Sequence, residues 1–322
     1  MVGQVFDLPT RVNRPALLPI SLRTGQPRPI TFSQAVVQSL AILAPGLLGA
    51  SVARAARTRG AAGRITVWAR RPEMRVKLEA TGWFDAVAAT AAGAVRGANL
   101  VVICAPVPAI PGIAADILPA LEPGSIVTDV GSVKAAMCRK IHHTYGNTAN
   151  FVGAHPMAGS EKTGHLHSSD DLFAGRAVFV TPLPESSPSA VDRVVRFWTT
   201  LGGEVVTCHP DKHDEIVAHV SHLPQIIASA LCSFLSTRDV SWRNYAGNGL
   251  RDTTRIAGSD PALWRGILEE NRFEVMRALS GMQDELQTLQ AAMANGDYLE
   301  VLNRLERGNA YRKSLRPGKG EA

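Results

Sequence analysis

The chain has 322 residues, with 34 Lys and Arg against 28 Asp and Glu, and is 45% hydrophobic and 19% charged. That length accommodates two domains, and the composition is that of a folded globular protein rather than a disordered or fibrous one. The basic excess is spread along the chain with no basic run interleaved with aromatics, which excludes a nucleic-acid surface and suits small anionic ligands. Four cysteines, at positions 104, 138, 208 and 232, form no CxxC pair and no metal-ligand spacing. Reduced thiols in a cytoplasmic protein are therefore expected.

Residues 1–35 carry Arg11, Arg14, Arg23 and Arg28 among several prolines. They lack the apolar core and cleavage site of a secretory signal, and read as a loose extension or a start codon assigned too far upstream. The next stretch, "LAILAPGLLGASVARAARTRG" (40–60), is apolar and then alanine-rich. Gln38, Ser39 and Pro45 interrupt residues 35–53 as a membrane span, and a buried strand leading into a helix fits better. Gly46-x-x-Gly49 supplies the last two glycines of the G-x-G-x-x-G dinucleotide loop, with Ala44 and Pro45 where the first glycine and its neighbour would stand. The middle glycine admits the pyrophosphate and the third allows close helix–strand packing. Ala44 can replace the first if its φ stays negative, while Pro45 stiffens the corner and removes one donor. Residues Ala44, Pro45, Gly46, Leu47, Leu48 and Gly49 are thus the expected pyrophosphate loop.

"GRITVWARR" (63–71) reads as a second strand ending in Ala69, Arg70 and Arg71. An acidic residue there would hold a ribose 2′-hydroxyl, whereas two guanidinium forks suit a 2′-phosphate. NADP is therefore expected over NAD, unless both arginines are solvated surface residues. "ANLVVICAPVPAI", "GSIVTDVGSVKAAM", "NFVGAHP", "RAVFVTP" and "GGEVVTC" continue the alternation of strands with helical stretches. An α/β fold follows, with an N-terminal Rossmann-type doubly wound parallel sheet. From Pro210 the pattern is helical throughout, with Pro224 inside the first run. The expected units are an extension (1–35), a dinucleotide-binding domain (36–208), a helical substrate and dimerisation domain (209–313) and a polar tail (314–322).

Ligands of such sheets bind beyond the carboxyl ends of the strands. Ser132 follows one strand at the expected start of a helix, where it touches ligand or merely caps the helix. His155 follows the next strand, placed as an acid–base group or as an ordinary strand-end histidine. The helical half adds His222, Arg251, Asp252, Arg255 and Trp264. Arg255 could clamp a substrate carboxylate or pair internally with Asp252. His219 and His222, three apart, have no further Cys or His at ligand spacing, so no metal is expected.

Taken together, "APGLLGAS", "DVGSVK", "HPMAGSEKTG", "DLFAGR", "HDEIVAHVSHLP" and "RDTTRIAGSDPALW" resemble the prephenate/arogenate dehydrogenases of tyrosine biosynthesis, in family order over most of residues 38–312. Ala44, the arginine pair and the N-terminal extension depart from the family pattern. The resemblance implies oxidation of a cyclohexadienol by NADP or NAD, with loss of the ring carboxylate as CO2. It implies that His155 polarises or deprotonates the ring hydroxyl and that Ser132 hydrogen-bonds it. His222, Arg255, Asp252 and Trp264 fall on the substrate side, with Arg255 as the carboxylate clamp. It also implies a homodimer through the helical half, closing the site between domains; composition and the pattern of residues 35–53 point to no membrane or nucleic-acid partner. The competing readings are another β-hydroxyacid dehydrogenase-like oxidoreductase and a non-catalytic NADP-sensing module.

Overall fold

The computed structural model describes residues 35–146, 150–158 and 164–315. Most of the N-terminal extension, the "GSEKT" part of the loop after His155 and most of the C-terminal tail lie outside the described residues.

Apolar runs bounded by glycine or proline become the strands of a buried parallel sheet. β1 (Val37–Leu43) turns through Ala44–Gly46 into α1 (Leu47–Thr58). The buried face of α1 is built from Ala50, Val52, Ala53, Ala55 and Ala56, small side chains that let the helix lie close to the sheet. There follow β2 (Ala62–Trp68), α2 (Pro72–Glu79), β3 (Ala86–Val87), α3 (Ala91–Val95), β4 (Leu100–Ile103) and α4 (Ile110–Ile117). β5 (Ile126–Asp129), α5 (Ala135–Tyr145) and β6 (Asn150–Phe151) complete this layer. The strand order is β3-β2-β1-β4-β5-β6, all parallel. The order reverses between β1 and β4, the switch point where such sheets bind ligand.

The remaining strands do not extend that sheet, contrary to the single parallel sheet expected from the sequence. β7 (Gly153–Pro156), β8 (Ala177–Thr181) and β9 (Glu204–Thr207) form a separate three-stranded sheet, antiparallel between β7 and β8 and parallel between β8 and β9. The cause is local. The N–H of Val152 still bonds the Val127 carbonyl at 3.0 Å, but that of Ala154 bonds the Asp129 carboxylate at 3.1 Å. A side chain replaces the ladder, and the strand leaves the sheet there. α6 (Pro188–Thr200) crosses from β8 to β9 and buries Phe197 and Trp198.

From Pro210 the described residues are helical. α7 (Pro210–Val217) runs through a π-helical turn (Ala218–His222) into α8 (Leu223–Ser236). Pro224 lacks the N–H an α-helix needs there, and the widened turn absorbs the missing bond. α9 (Asn248–Thr254), α10 (Pro261–Glu270), α11 (Arg272–Ala294) and α12 (Tyr298–Ser314) follow. By length and mean hydropathy (1.3) Pro210–Ser236 could cross a membrane, yet it buries His213, Asp214, His222 and Gln225 against the rest of the protein. This half has a small core, Ala218, Val275 and Ala278 with Leu223, Ile226 and Leu268 around them. Phe234, Trp242, Tyr245, Phe273, Met276, Leu286, Met293 and Leu299 remain exposed. α10 reaches back to the nucleotide half, where Gly266 faces Pro108 just after β4.

Candidate active site

The loop between β1 and α1 has the form of a phosphate cradle. A Cβ on Gly46 would meet nothing within 4 Å, so the space beside its backbone is open. A Cβ on Gly49 would lie 3.0 Å from Cys104 Cβ and 3.2 Å from Ile42 Cγ2, tighter than ordinary contact, so glycine lets α1 pack this close without displacing either side chain. Leu47 and Leu48 begin α1, and their N–H groups, with that of Gly49, have no helical carbonyl to bond, the arrangement that an anion at a helix N-terminus requires. A dinucleotide fits these residues. The expectation for Ala44 does not hold. Its φ is +59°, in the left-handed region, so alanine here replaces glycine without escaping the turn that glycine serves. Its N–H bonds the Trp68 carbonyl at 2.8 Å, tying the loop to the end of β2, and Pro45 follows buried.

Arg70 and Arg71 stand exposed beyond β2. Arg71 has only Glu73 at 4.0 Å, and the Arg70 guanidinium has no ion pair among the described residues. The sequence reading missed Arg75, whose Nη1 donates to the carbonyls of Ala69 (3.0 Å) and Arg70 (3.2 Å) and fixes the loop that presents the pair.

Beyond β5 the chain builds a buried polar cluster. Asp129 accepts from the N–H of Gly131 at 2.7 Å and from that of Ala154 at 3.1 Å. It also pairs with the fully buried Lys134, whose Nζ donates to the Ala154 carbonyl at 3.0 Å. The loop carrying Ser132 is thereby clamped to the residue preceding His155. Ser132 is half-buried in that loop and is not the helix cap. The cap position of α5 is Lys134, and the carboxylate of Asp214 receives the N–H groups of Lys134 and Ala135, both at 2.8 Å.

Asp214 leads to His155. Its Oδ1 lies 2.7 Å from His213 Nδ1, and His213 Nε2 lies 2.9 Å from His155 Nδ1. Phe179 packs its ring edge-on against His213 with centroids 5.1 Å apart. Burial holds the His155 imidazole well below the usual histidine range, helped by the nearby His213, Lys134 and His222. Burial does the same to His213, aided by Lys134 and His222. Burial raises Asp214 to about 6 against the pull of its N–H donors. Burial also raises Asp129, opposed by Lys134.

His222 is buried in the π-helical turn, 3.1 Å from Asn271 Nδ2, with the Trp264 ring edge-on at 5.9 Å. Burial lowers it to about 4, opposed by Asp214. His219 points elsewhere, its Nδ1 2.8 Å from the Glu215 carbonyl, and no metal-binding group occurs among the described residues. Arg255 and Asp252 are both exposed and form no ion pair with each other, so the internal pairing is not adopted. No hydrogen bond or ion pair among the described residues joins either to His155 or His222. His213, Asp214, Lys134, Asp129 and Asn271 were not singled out from sequence. The available signal was the adjacent His213-Asp214 at the start of a helix.

Residues 52–207 match the nucleotide-binding domain of prephenate dehydrogenase and residues 209–307 its dimerization domain. The chain belongs to the prephenate dehydrogenase family. The cyclohexadienyl dehydrogenase of Zymomonas mobilis is 32% identical over 270 residues, covering 82% of this chain and 92% of that one. The prephenate dehydrogenase of Aquifex aeolicus, solved with hydroxyphenyl propionate and NAD+, superposes with a TM-score of 0.81 at 31% identity, covering 87% of this chain and 98% of that one. Synechocystis arogenate dehydrogenase gives 0.76 at 26% identity, covering 86% and 99%. The family's nucleotide-binding domain and the Rossmann strand order together mark this chain as a nicotinamide-dependent oxidoreductase.

Proposed function

We propose that this chain oxidises and decarboxylates a cyclohexadienol, prephenate or arogenate, to 4-hydroxyphenylpyruvate or tyrosine in tyrosine biosynthesis, with NADP+ preferred over NAD+. The observation that carries the reading is His155: a buried, neutral imidazole one residue beyond the clamp at the end of β5, hydrogen-bonded through His213 to a carboxylate. A bound nicotinamide would supply the acceptor for the ring hydride. His155 takes the proton of the ring hydroxyl as the C–O bond gains carbonyl character, and Ser132 hydrogen-bonds the same oxygen. When the ring carboxylate leaves as CO2, its bonding electrons aromatise the ring and the oxygen becomes a phenolate. His155 returns the proton there, so the base ends the cycle neutral.

His222, with Trp264 beside it, faces the substrate side chain, and Arg255, which has no ion pair among the described residues, clamps a carboxylate bidentately. Asp252 lies on the exposed helix just before it. Arg70 and Arg71 receive the 2′-phosphate. Residues 36–208 form the nucleotide domain, and 209–313 pair with a second copy through their exposed apolar side chains. Four free thiols suit a cytoplasmic enzyme.

Rates with prephenate and arogenate, each with NAD+ and NADP+, test the reading. One mole of reduced cofactor and one of CO2 per mole of substrate is expected. Turnover of a simple 3-hydroxyacid with neither cyclohexadienol accepted would favour the wider β-hydroxyacid dehydrogenase group, and cofactor binding without turnover a sensing module.

A further inference from the structure

The hydrogen-bond partners of the two buried histidines leave each of them one tautomer, and both assignments start at Asp214. Its carboxylate oxygens receive the N–H groups of Lys134 and Ala135, which can only donate. An ionised carboxylate has no proton to give, so His213 must donate through Nδ1 at 2.7 Å. Neutral His213 then has a bare Nε2. That nitrogen lies 2.9 Å from His155 Nδ1, which must carry the proton. Neutral His155 therefore has its lone pair on Nε2.

The second chain of bonds starts at the main-chain carbonyl of the same residue. Asn271 Nδ2 lies 2.9 Å from the Asp214 carbonyl oxygen, an arrangement that fixes the orientation of the amide because its oxygen could not face another acceptor. The same Nδ2 lies 3.1 Å from His222 Nδ1, which must accept. Neutral His222 then carries its proton on Nε2. Asn271 is buried, and among the described residues its amide nitrogen bonds only the Asp214 carbonyl and His222.

We infer that Asp214 holds the two histidines in opposite tautomers, His155 presenting an acceptor and His222 a donor, with His213, Asp214 and Asn271 acting as positioning residues. The inference rests on the reading of His155 as base and His222 as substrate contact for its catalytic meaning, but the tautomers themselves do not. An acceptor is what the ring hydroxyl requires, since it must give up its proton. A donor is what a keto or carboxylate oxygen of the substrate side chain requires. With the tautomers exchanged, neither imidazole could make its hydrogen bond to substrate. Among the described residues His213, Lys134 and His222 act on His155 and Asp214 acts on His222, while Asp129 is paired with Lys134. The positive charge of Lys134, fully buried, disfavours protonation of both His155 and His213. That preserves the neutral tautomers on which the arrangement depends.

The test is nitrogen-15 NMR of the full-length enzyme carrying labelled histidine, without substrate, near pH 7.5. His155→Gln and His222→Gln variants assign the signals. His155 should carry its proton on Nδ1 and His222 on Nε2, neither exchanging between forms. The reverse assignment at either residue, or rapid exchange at either, would overturn the inference whatever substrate the enzyme uses. Asp214→Asn replaces an acceptor with a donor but keeps the main-chain carbonyl. It should disturb the tautomer of His155 and leave that of His222. Asn271→Ala should do the converse.

In kinetics Asp214→Asn should lower kcat by roughly 10- to 100-fold with cofactor Kd unchanged, while Asn271→Ala should mainly raise KM. If Asp214→Asn fails to fold, the wild-type spectrum still decides. Correct tautomers without turnover of any cyclohexadienol would uphold the inference and refute the proposed function.

Discussion

Ala44 donates its N–H to the Trp68 carbonyl at 2.8 Å while holding a φ of +59°, so the corner of the dinucleotide loop is a left-handed turn made by a residue with a Cβ. That conformation costs an L-residue roughly 1–2 kcal/mol. Ala44→Gly should therefore raise Tm by a few degrees and leave cofactor affinity equal or tighter. Ala44→Val, β-branched at the same φ, should lower Tm. Thermal melts of both variants check this, and a drop in Tm for Ala44→Gly would mean the corner is relaxed by something other than backbone freedom.

Arg70 and Arg71 are exposed and Arg75 is occupied with the loop carbonyls, so the two can be removed without disturbing the loop. Replacing both by alanine should weaken NADP+ binding by roughly 1.5–3 kcal/mol for each charge-assisted hydrogen bond to the 2′-phosphate, with NAD+ little affected. Titrations with both cofactors decide the point. Equal weakening of the two would mean that neither arginine meets a 2′-phosphate.

Arg255 has no carboxylate partner among the described residues. Arg255→Lys should raise KM about tenfold or more with little change in Tm, because lysine cannot supply a two-pronged grip. An unchanged KM would place the clamp elsewhere.

Acid should unfold the protein through its buried histidines. His155, His213 and His222 are held below their ordinary range, His222 at about 4, so the unfolded chain takes up three protons near pH 6.5 that the fold refuses. Asp214 and Asp129 work the other way, since burial raises both, Asp214 to about 6, and the fold gains protons there before the unfolded chain does. The three histidines outnumber the two carboxyls, so the unfolded state binds more protons and stability falls as pH falls. Stability is then fully present above pH 6.5 and lost as pH falls below it. Melts from pH 7.5 to 5 should show a falling Tm, and a flat profile would contradict the neutral cluster.

The parts legible in the sequence were those written in contiguous residues. β4 is an unbroken apolar run, β1 ends in one from Leu40 to Leu43, and Gly46 and Gly49 sit at fixed spacing between a strand and an alanine-rich helix. The departure of β7 was not legible, because it depends on the Asp129 side chain taking a backbone N–H 25 residues away. The φ of Ala44 was not legible either, because nothing local to "LAPG" reports the bond that Ala44 makes to Trp68. Likewise the site's histidine chains join residues 58 and 49 positions apart. Such pairings are set by how α7 and α11 pack and have no local pattern. Ser132 reads as a cap because caps come from nearby serines, whereas α5 is capped by Asp214 from another helix.

The central claim is that neutral His155 is the base for the ring hydroxyl, and the kcat–pH profile of His155→Asn tests it most directly. Asparagine keeps a polar group of similar reach but cannot take a proton. In the wild type, kcat should fall on the acid side, below the ordinary histidine range, as the His155 chain protonates. In the variant, kcat should drop by roughly 10²–10⁴-fold and that acid limb should vanish, with cofactor Kd and Tm little changed. A folded variant with near-normal kcat and the same acid limb would contradict the account and make His222 the next candidate for the base.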